Sequence, residues 1–489
     1  MSAATTLALR RSKGTLSQVE TSLNCSQYRT TILEGSHTSA RLPCASGGAV
    51  IPVFIHDDSV ATLGAAPKWR IGLGVEHLDK SLRKQGSQLT LRSGPAEMVL
   101  RELLAETGAK TVVWSRLYDP QSIERDSAIK AVLKADGIDA RSFGGHLMFE
   151  PWTTETKTGG YYKVFTPFWN NVKVRGVETP LPAPKSIPAP DTWPISETLA
   201  DWNLGAAMNR GADIVRPFVR LGSDAAHERL ASFVDDNVAN YVTNRDLPWT
   251  DGTSSLSENL ALGEISPHQC WHVAQRALFE GVSGAEVFMK QLCWREFAYH
   301  LMHHTPRILD SNWKEGWDAF PWNTEDTAEV TAWKQGRTGI PFVDAAMREL
   351  YVTGRMHNRG RMIVASYLTK HLLTDWKVGQ KWFEDCLIDW DPACNAMGWQ
   401  WSAGSGPDAT PYFRVFNPVT QLDKFDKNRD YVNRWIAEGR GNPHKDAMSF
   451  FAATPKSWNL TADAEYSQPV VTPEQGRKRA LSAYETRTF

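Results

Sequence analysis

The chain has 489 residues, 42% hydrophobic and 22% charged, with 54 Lys and Arg set against 55 Asp and Glu for a net charge of −1. At about 150 residues per domain this length makes two or three globular domains. The balanced charge excludes a globally basic nucleic-acid binder, so any DNA surface has to be a local basic patch.

Residues 1–47 are rich in Ser, Thr and Arg and offer no clear strand. The pattern changes at Ala49: residues 50–55 read as a buried strand, 73–82 as helix, 89–91 as strand, 97–105 as helix, 111–114 as strand and 122–134 as helix. Apolar strands alternating with helices predict an α/β domain built on a parallel sheet with helical cover, whose strand ends receive ligands. Six prolines between Pro180 and Pro194 cannot propagate a helix and predict a semi-rigid linker. Residues 224–435 read as long helices without a convincing strand, and the end, with Arg477-Lys478-Arg479, reads as a polar tail. The predicted division is a divergent segment at 1–47, an α/β domain at 48–165, a linker at 166–223, a helical domain at 224–470 and a tail at 471–489. No apolar run reaches the roughly 18 residues that cross a bilayer, and no signal-like apolar block opens the chain. Cys25, Cys44, Cys270, Cys293, Cys386 and Cys394 show neither C-x-x-C nor paired spacing, which argues against a disulfide framework or zinc site and for a reducing, intracellular compartment.

The densest chemistry lies between Thr353 and Gln421. Asp389 and Asp391 stand at i and i+2, and Asp391 before Pro392 suits a helix N-cap and first turn. Asn395 falls one turn in, and Trp399 and Trp401 follow. Upstream, Asn358, Arg361 and Met362 share one helical face at i, i+3 and i+4. The two aspartates could be a hydrolase pair. However, Arg361 and the Asn395 amide are their natural partners, and a carboxylate held by arginine stays ionised and is a poor general acid. His300, His303 and His304 have a metal-like spacing that no nearby Cys or carboxylate completes, so no metal is expected. Residues 244–257, N-R-D-L-P-W-T-D-G-T-S-S-L-S, put hydroxyls and backbone N–H groups ahead of a helical run, a local anion site or simply a capped turn. Most of the 20 tryptophans read as aromatic core.

The motifs W-R-E-F, M-H-N-R-x-R-M, D-x-D-x-x-x-N-x-x-G-W-Q-W and P-Y-F-R-x-F-N-P occur in this order. Through them residues 48–440 resemble the cyclobutane pyrimidine dimer photolyases of the photolyase and cryptochrome family. The resemblance implies an α/β antenna-type domain joined to an all-α domain that binds FAD. It assigns the cofactor to Tyr241, Thr253, Ser254, Ser255, Ser257, Arg295, Asn358, Arg361, Asp389, Asp391 and Asn395. It makes Trp399, Trp376 and Trp322 an electron-transfer chain, surrounds a lesion with Gln291, Trp294, Asn358, Met362 and Trp401, and sets Arg359 and Arg414 against DNA phosphates. His357 takes a packing or hydrogen-bonding role and not that of a general base. The implied protein is a cytoplasmic monomer that works on damaged DNA at the nucleoid, a carbon–carbon lyase with no metal. The stretch V-V-W-S-R-L-Y-D-P at 112–120 is most like class III members, for which the antenna is 5,10-methenyltetrahydrofolate.

The chain departs from the family in two places. Its start keeps only Leu9-Arg10-Arg11 of the usual tryptophan and Arg-Arg-Asp opening, and Gln291 stands where these enzymes carry a glutamate that bonds the lesion base. An amide there still makes hydrogen bonds but carries no charge. Asn358 occupies the position of a histidine in enzymes specific for the pyrimidine–pyrimidone lesion, and Asn395 that of an aspartate in plant cryptochromes. Both favour dimer repair. The alternative is a cryptochrome, a blue-light flavin receptor without repair activity. A dark flavin oxidoreductase would need a nicotinamide fingerprint of the G-x-G-x-x-G kind, which is missing.

Overall fold

The structure, a computed structural model, describes residues 30–34, 49–180, 186–408 and 413–489. Most of the divergent segment 1–47, with Cys25 and Cys44, lies outside the described residues.

The α/β domain is a five-stranded sheet of order β3-β2-β1-β4-β5, formed by β1 (Thr30–Glu34), β2 (Val50–His56), β3 (Thr90–Ser93), β4 (Thr111–Ser115) and β5 (Asp139–Phe143). Val50, Ile51, Val53, Phe54 and Ile55 are all buried, as expected of a strand covered on both faces. β2 pairs parallel with β3, and β4 with β5. Between these pairs β1 runs antiparallel to both, Ile32 opposite Pro52 and Leu33 opposite Val112. The two parallel pairs are those expected of the α/β domain, and β1 is an antiparallel addition between them. A five-residue strand inside a Ser, Thr and Arg-rich stretch carries too short a pattern to register, and an antiparallel neighbour needs no crossover helix to announce it.

Three helices cover the sheet: α1 (Ala65–Lys84), α2 (Ala96–Thr107) and α3 (Pro120–Ala135). α1 begins well before residue 73 because Pro67 sits in its first turn, where a proline costs no hydrogen bond. Asp119 caps α3 by accepting from the Ser122 N–H at 2.9 Å. Of the proline-rich stretch, the described residues from 186 onward meet this domain: the Pro188 carbonyl accepts from Val50 N–H at 2.8 Å, and beyond it Glu197 N–H donates to the Leu91 carbonyl at 2.8 Å. One more helix, α4 (Phe165–Val172), precedes it.

The helical domain contains α5 (Pro267–Phe279), α6 (Gly284–His304), α7 (Pro341–Thr353), α8 (Asn358–Ser366), α9 (Trp376–Cys386) and α10 (Pro392–Ala403). A buried ion cluster ties it to α1. Arg70, 0% exposed, donates to Glu258 at 3.3 Å and Glu264 at 2.6 Å, while Arg229 and Arg355 also reach Glu258. Removing one member of such a set leaves an uncompensated buried charge, a loss of about 3–5 kcal/mol.

Residues 471–489 form no loose polar tail. Thr472 and Gln475 make a capping box for α11 (Pro473–Glu485), whose Gly476 lies so close to the preceding helices that an added Cβ would stand 2.5 Å from His371 Cδ2. Its buried face is Gly476, Ala480 and Ala483, residues too small to give an apolar signal while allowing close approach. Among the described residues no helix is long and apolar enough to cross a membrane, and no group of three His, Cys, Asp or Glu could hold a metal.

Candidate functional site

The first turn of α10 organises the site. Asp391 is extended at φ −140° and its carboxylate accepts from Cys394 N–H at 2.8 Å, an N-cap followed by Pro392. One turn on, buried Asn395 donates its amide N–H to the Asp391 carbonyl at 3.0 Å, which leaves its own carbonyl oxygen to accept from a ligand. Asp389 takes Arg361 at 2.7 Å, and Arg361 Nε donates to the Met356 carbonyl at 2.9 Å. The expected Arg361–Asp389 pair is thus present, whereas Asn395 reaches the backbone of Asp391 and not its carboxylate.

The Asp391 carboxylate instead takes the Tyr299 hydroxyl at 3.0 Å. That hydroxyl meets His146 Nε2 at 2.8 Å, and the His146 carbonyl accepts from Arg295 Nη1 at 2.8 Å. Tyr299 and His146 were not anticipated: His146 stands in the α/β domain after two glycines and reads as a loop residue. Burial, with Arg295 beside it, pushes His146 well below the usual histidine range and keeps it neutral. The adjacent Glu296 accepts from Met148 and Phe149 N–H groups at 2.8 and 3.0 Å, and burial pushes it up to about 7.

Arg295 therefore faces His146, with its Nε 4.0 Å from Asp391. Tyr241 is buried beneath Arg245, whose guanidinium lies 5.7 Å from the ring. Thr253, Ser254 and Ser255 form a half-buried loop, Ser255 at φ 50°, and Ser257 opens the one-turn helix Ser257–Ala261.

Around this centre lie the other predicted residues. His357 caps α8, its Nδ1 accepting from Arg359 N–H at 3.1 Å, and burial lowers its pKa to about 4. Asn358 and Met362 meet on one face at 3.7 Å. Gln291 accepts from Arg245 at 3.2 Å, and Trp294 stacks on Phe165. Arg359 is paired with Asp246 at 2.6 Å, while Arg414 is exposed over Phe416. Trp399 and Trp376 are buried at 2% and 0% exposure, and Trp376 Nε1 donates to Asn312. Trp322 and Trp401 are half-buried, the former donating to the Thr369 carbonyl. His300 accepts from Tyr162 N–H at 3.0 Å, His304 stacks on Tyr161 and the His303 ring lies 5.6 Å from that of Trp152, so all three spaced histidines have protein partners.

A cavity of about 870 Å³ opens between the domains, lined by Tyr118, His146, Tyr299, Trp390 and Asp391 among others. Of the residues the resemblance assigns to FAD, only Asp391 lines it. Among the described residues Asp389 Oδ1, Arg295 Nε and His357 Nε2 are buried without a hydrogen-bond partner. A buried polar atom left unpaired costs about 1–3 kcal/mol. Acceptors and donors of this kind suit a heterocycle that offers an imide N–H together with carbonyls, as a flavin does.

An α/β domain docked on a helical domain with such a polar, tryptophan-rich centre defines a two-domain flavoprotein. Residues 37–185 match the family described as DNA photolyase, and residues 288–486 the FAD binding domain of DNA photolyase. The deoxyribodipyrimidine photo-lyase of Agrobacterium fabrum is 45% identical over 90% of this chain and 92% of its own. That of a Synechococcus species is 37% identical over 77% and 79%. The crystal structure of a bacterial class III photolyase from Agrobacterium tumefaciens superposes with a TM-score of 0.82 at 43% identity, covering 90% of this chain and 92% of that one. The chain belongs to the DNA photolyase family.

Proposed function

We infer that the protein is a deoxyribodipyrimidine photo-lyase that repairs cyclobutane pyrimidine dimers in DNA under blue or near-ultraviolet light. One arrangement carries the reading: Asn395, held one turn into α10 with its carbonyl oxygen open, stands on the same short segment as buried Asp389, which Arg361 reaches from α8. When bound in reduced form, FAD would supply the light-driven one-electron chemistry that splitting the dimer ring requires, with no net redox change.

The protein's own residues do the rest. Arg361 fixes Asp389 through their 2.7 Å contact, so that carboxylate and Asn395 accept from a ligand N–H and hold the ring in one orientation. Tyr241, Arg295, Asn358 and the hydroxyls of Thr253, Ser254, Ser255 and Ser257 complete the cofactor's cradle. Trp294 and Trp401 border the extruded dimer, with Gln291, Asn358 and Met362 reading its edges, and stacking on an indole contributes about 1–3 kcal/mol per base. Trp399, Trp376 and Trp322 conduct electrons from the surface. Arg414 contacts phosphate, and Arg359 does so once released from Asp246. The α/β domain holds a 5,10-methenyltetrahydrofolate antenna. We place the protein in the cytoplasm as a monomer, at the nucleoid where its substrate lies. The non-repairing photoreceptor reading is the weaker one, because an amide at position 395 favours repair.

The test is an oligonucleotide with one thymine dimer, incubated with the protein carrying chemically reduced flavin under blue light and in a matched dark sample. The expected outcome is loss of the dimer in the light alone. No loss, or equal loss in the dark, contradicts the reading.

A further inference from the structure

Phe165 is the first residue of α4, and its ring lies 3.7 Å from that of Trp294, centroid to centroid, with 8° between the planes. This is full face-to-face contact, so one face of the indole is closed. Phe297, itself 0% exposed, meets both rings edge-on, 5.9 Å from Phe165 at 71° and 5.8 Å from Trp294 at 76°. Phe165 is 7% exposed, whereas Trp294 is half-buried. The backbone N–H of Phe165 is held by the Asp408 carboxylate, from the turn that follows α10. Segments far apart in sequence thus fix one phenyl ring behind one indole.

We propose that Phe165 is a positioning residue for lesion recognition, backing Trp294 so that the indole offers a single fixed face to the extruded pyrimidine. The inference rests on the reading that Trp294 borders the dimer. An indole free to turn about its side-chain bonds would lose rotamer freedom on binding, and Phe165 removes that loss in advance. The contact should therefore matter for the damaged base and not for the phosphate backbone. A ring pair of this kind is worth roughly a two- to tenfold change in affinity.

The experiment measures dissociation constants of the flavin-loaded protein for a thymine-dimer duplex and the same duplex undamaged, in wild type, Phe165→Leu, Phe165→Tyr and Trp294→Ala. F165L should reduce the preference for damaged DNA by roughly two- to tenfold. Its flavin absorbance, its affinity for undamaged duplex and its repair yield once saturated should be unchanged. F165Y should restore the preference. F165L with wild-type preference, or with equal weakening toward both duplexes, overturns the inference when W294A does lose the preference. W294A with wild-type preference overturns the underlying reading of the pocket instead. If F165L does not accumulate, Phe165→Met serves the same comparison.

Discussion

Replacing Arg361 by Gln would strand Asp389. The aspartate side chain is 2% exposed and its second oxygen has no partner among the described residues, while the arginine side chain is 26% exposed. Deleting one partner of a buried pair costs about 3–5 kcal/mol. Since a quarter of the guanidinium side is wet, the lower end, about 3 kcal/mol, applies to R361Q. Asp389→Asn removes the charge together with its need for a partner, so the double variant should recover much of that loss, a coupling of about 2 kcal/mol. Urea unfolding of the flavin-free protein gives the stability term. Flavin titration gives the binding term, where about 3 kcal/mol corresponds to roughly a hundredfold weaker affinity. If the two substitutions add within about 0.5 kcal/mol in both assays, the pair does not organise the site and the reasoning fails.

Three further outcomes follow from the packing. His300, His357 and His371 are buried neutral, with desolvation pulling them to about 3, 4 and 4. Each binds fewer protons folded than unfolded below its usual value, so stability present above pH 6.5 is lost as pH falls toward 4, by up to about 1.4 kcal/mol per pH unit for each. Denaturant unfolding across that range should show the slope, and His357→Asn, which keeps a capping oxygen, should lessen it. Gly379→Ala would place a Cβ 2.2 Å from the Trp399 ring and 2.6 Å from Leu368, an overpacking loss of about 1–3 kcal/mol measurable in urea. Trp376→Phe should slow light-driven reduction of the oxidised flavin, followed by its absorbance, while repair by chemically reduced protein proceeds at the wild-type yield.

What the sequence discloses depends on how local each signal is. The run 50–55 announces a covered strand because every residue is apolar, and Asp391-Pro392 announces the start of α10 because cap and first turn are adjacent. Strand β1 escapes because five residues carry no measurable period. The helix at Pro473–Glu485 escapes because its buried face is Gly and Ala, and only the capping-box spacing of Thr472 and Gln475 could have marked it. The partners of Asp391 escape for another reason: Tyr299 and His146 are 153 residues apart, and nothing periodic links a loop in one domain to a helix in the other. Motif spacing brings Asp389, Arg361 and Asn395 to one place, yet which oxygen takes which donor emerges only from the packed side chains.

The most direct measurement is single-turnover repair after a brief blue flash, with the protein bound to a duplex carrying one thymine dimer and its flavin either fully reduced or oxidised beforehand. Repair in the reduced sample, with none in the oxidised sample, is the predicted result. Reduced flavin and bound duplex that give no repair after the flash would contradict the account.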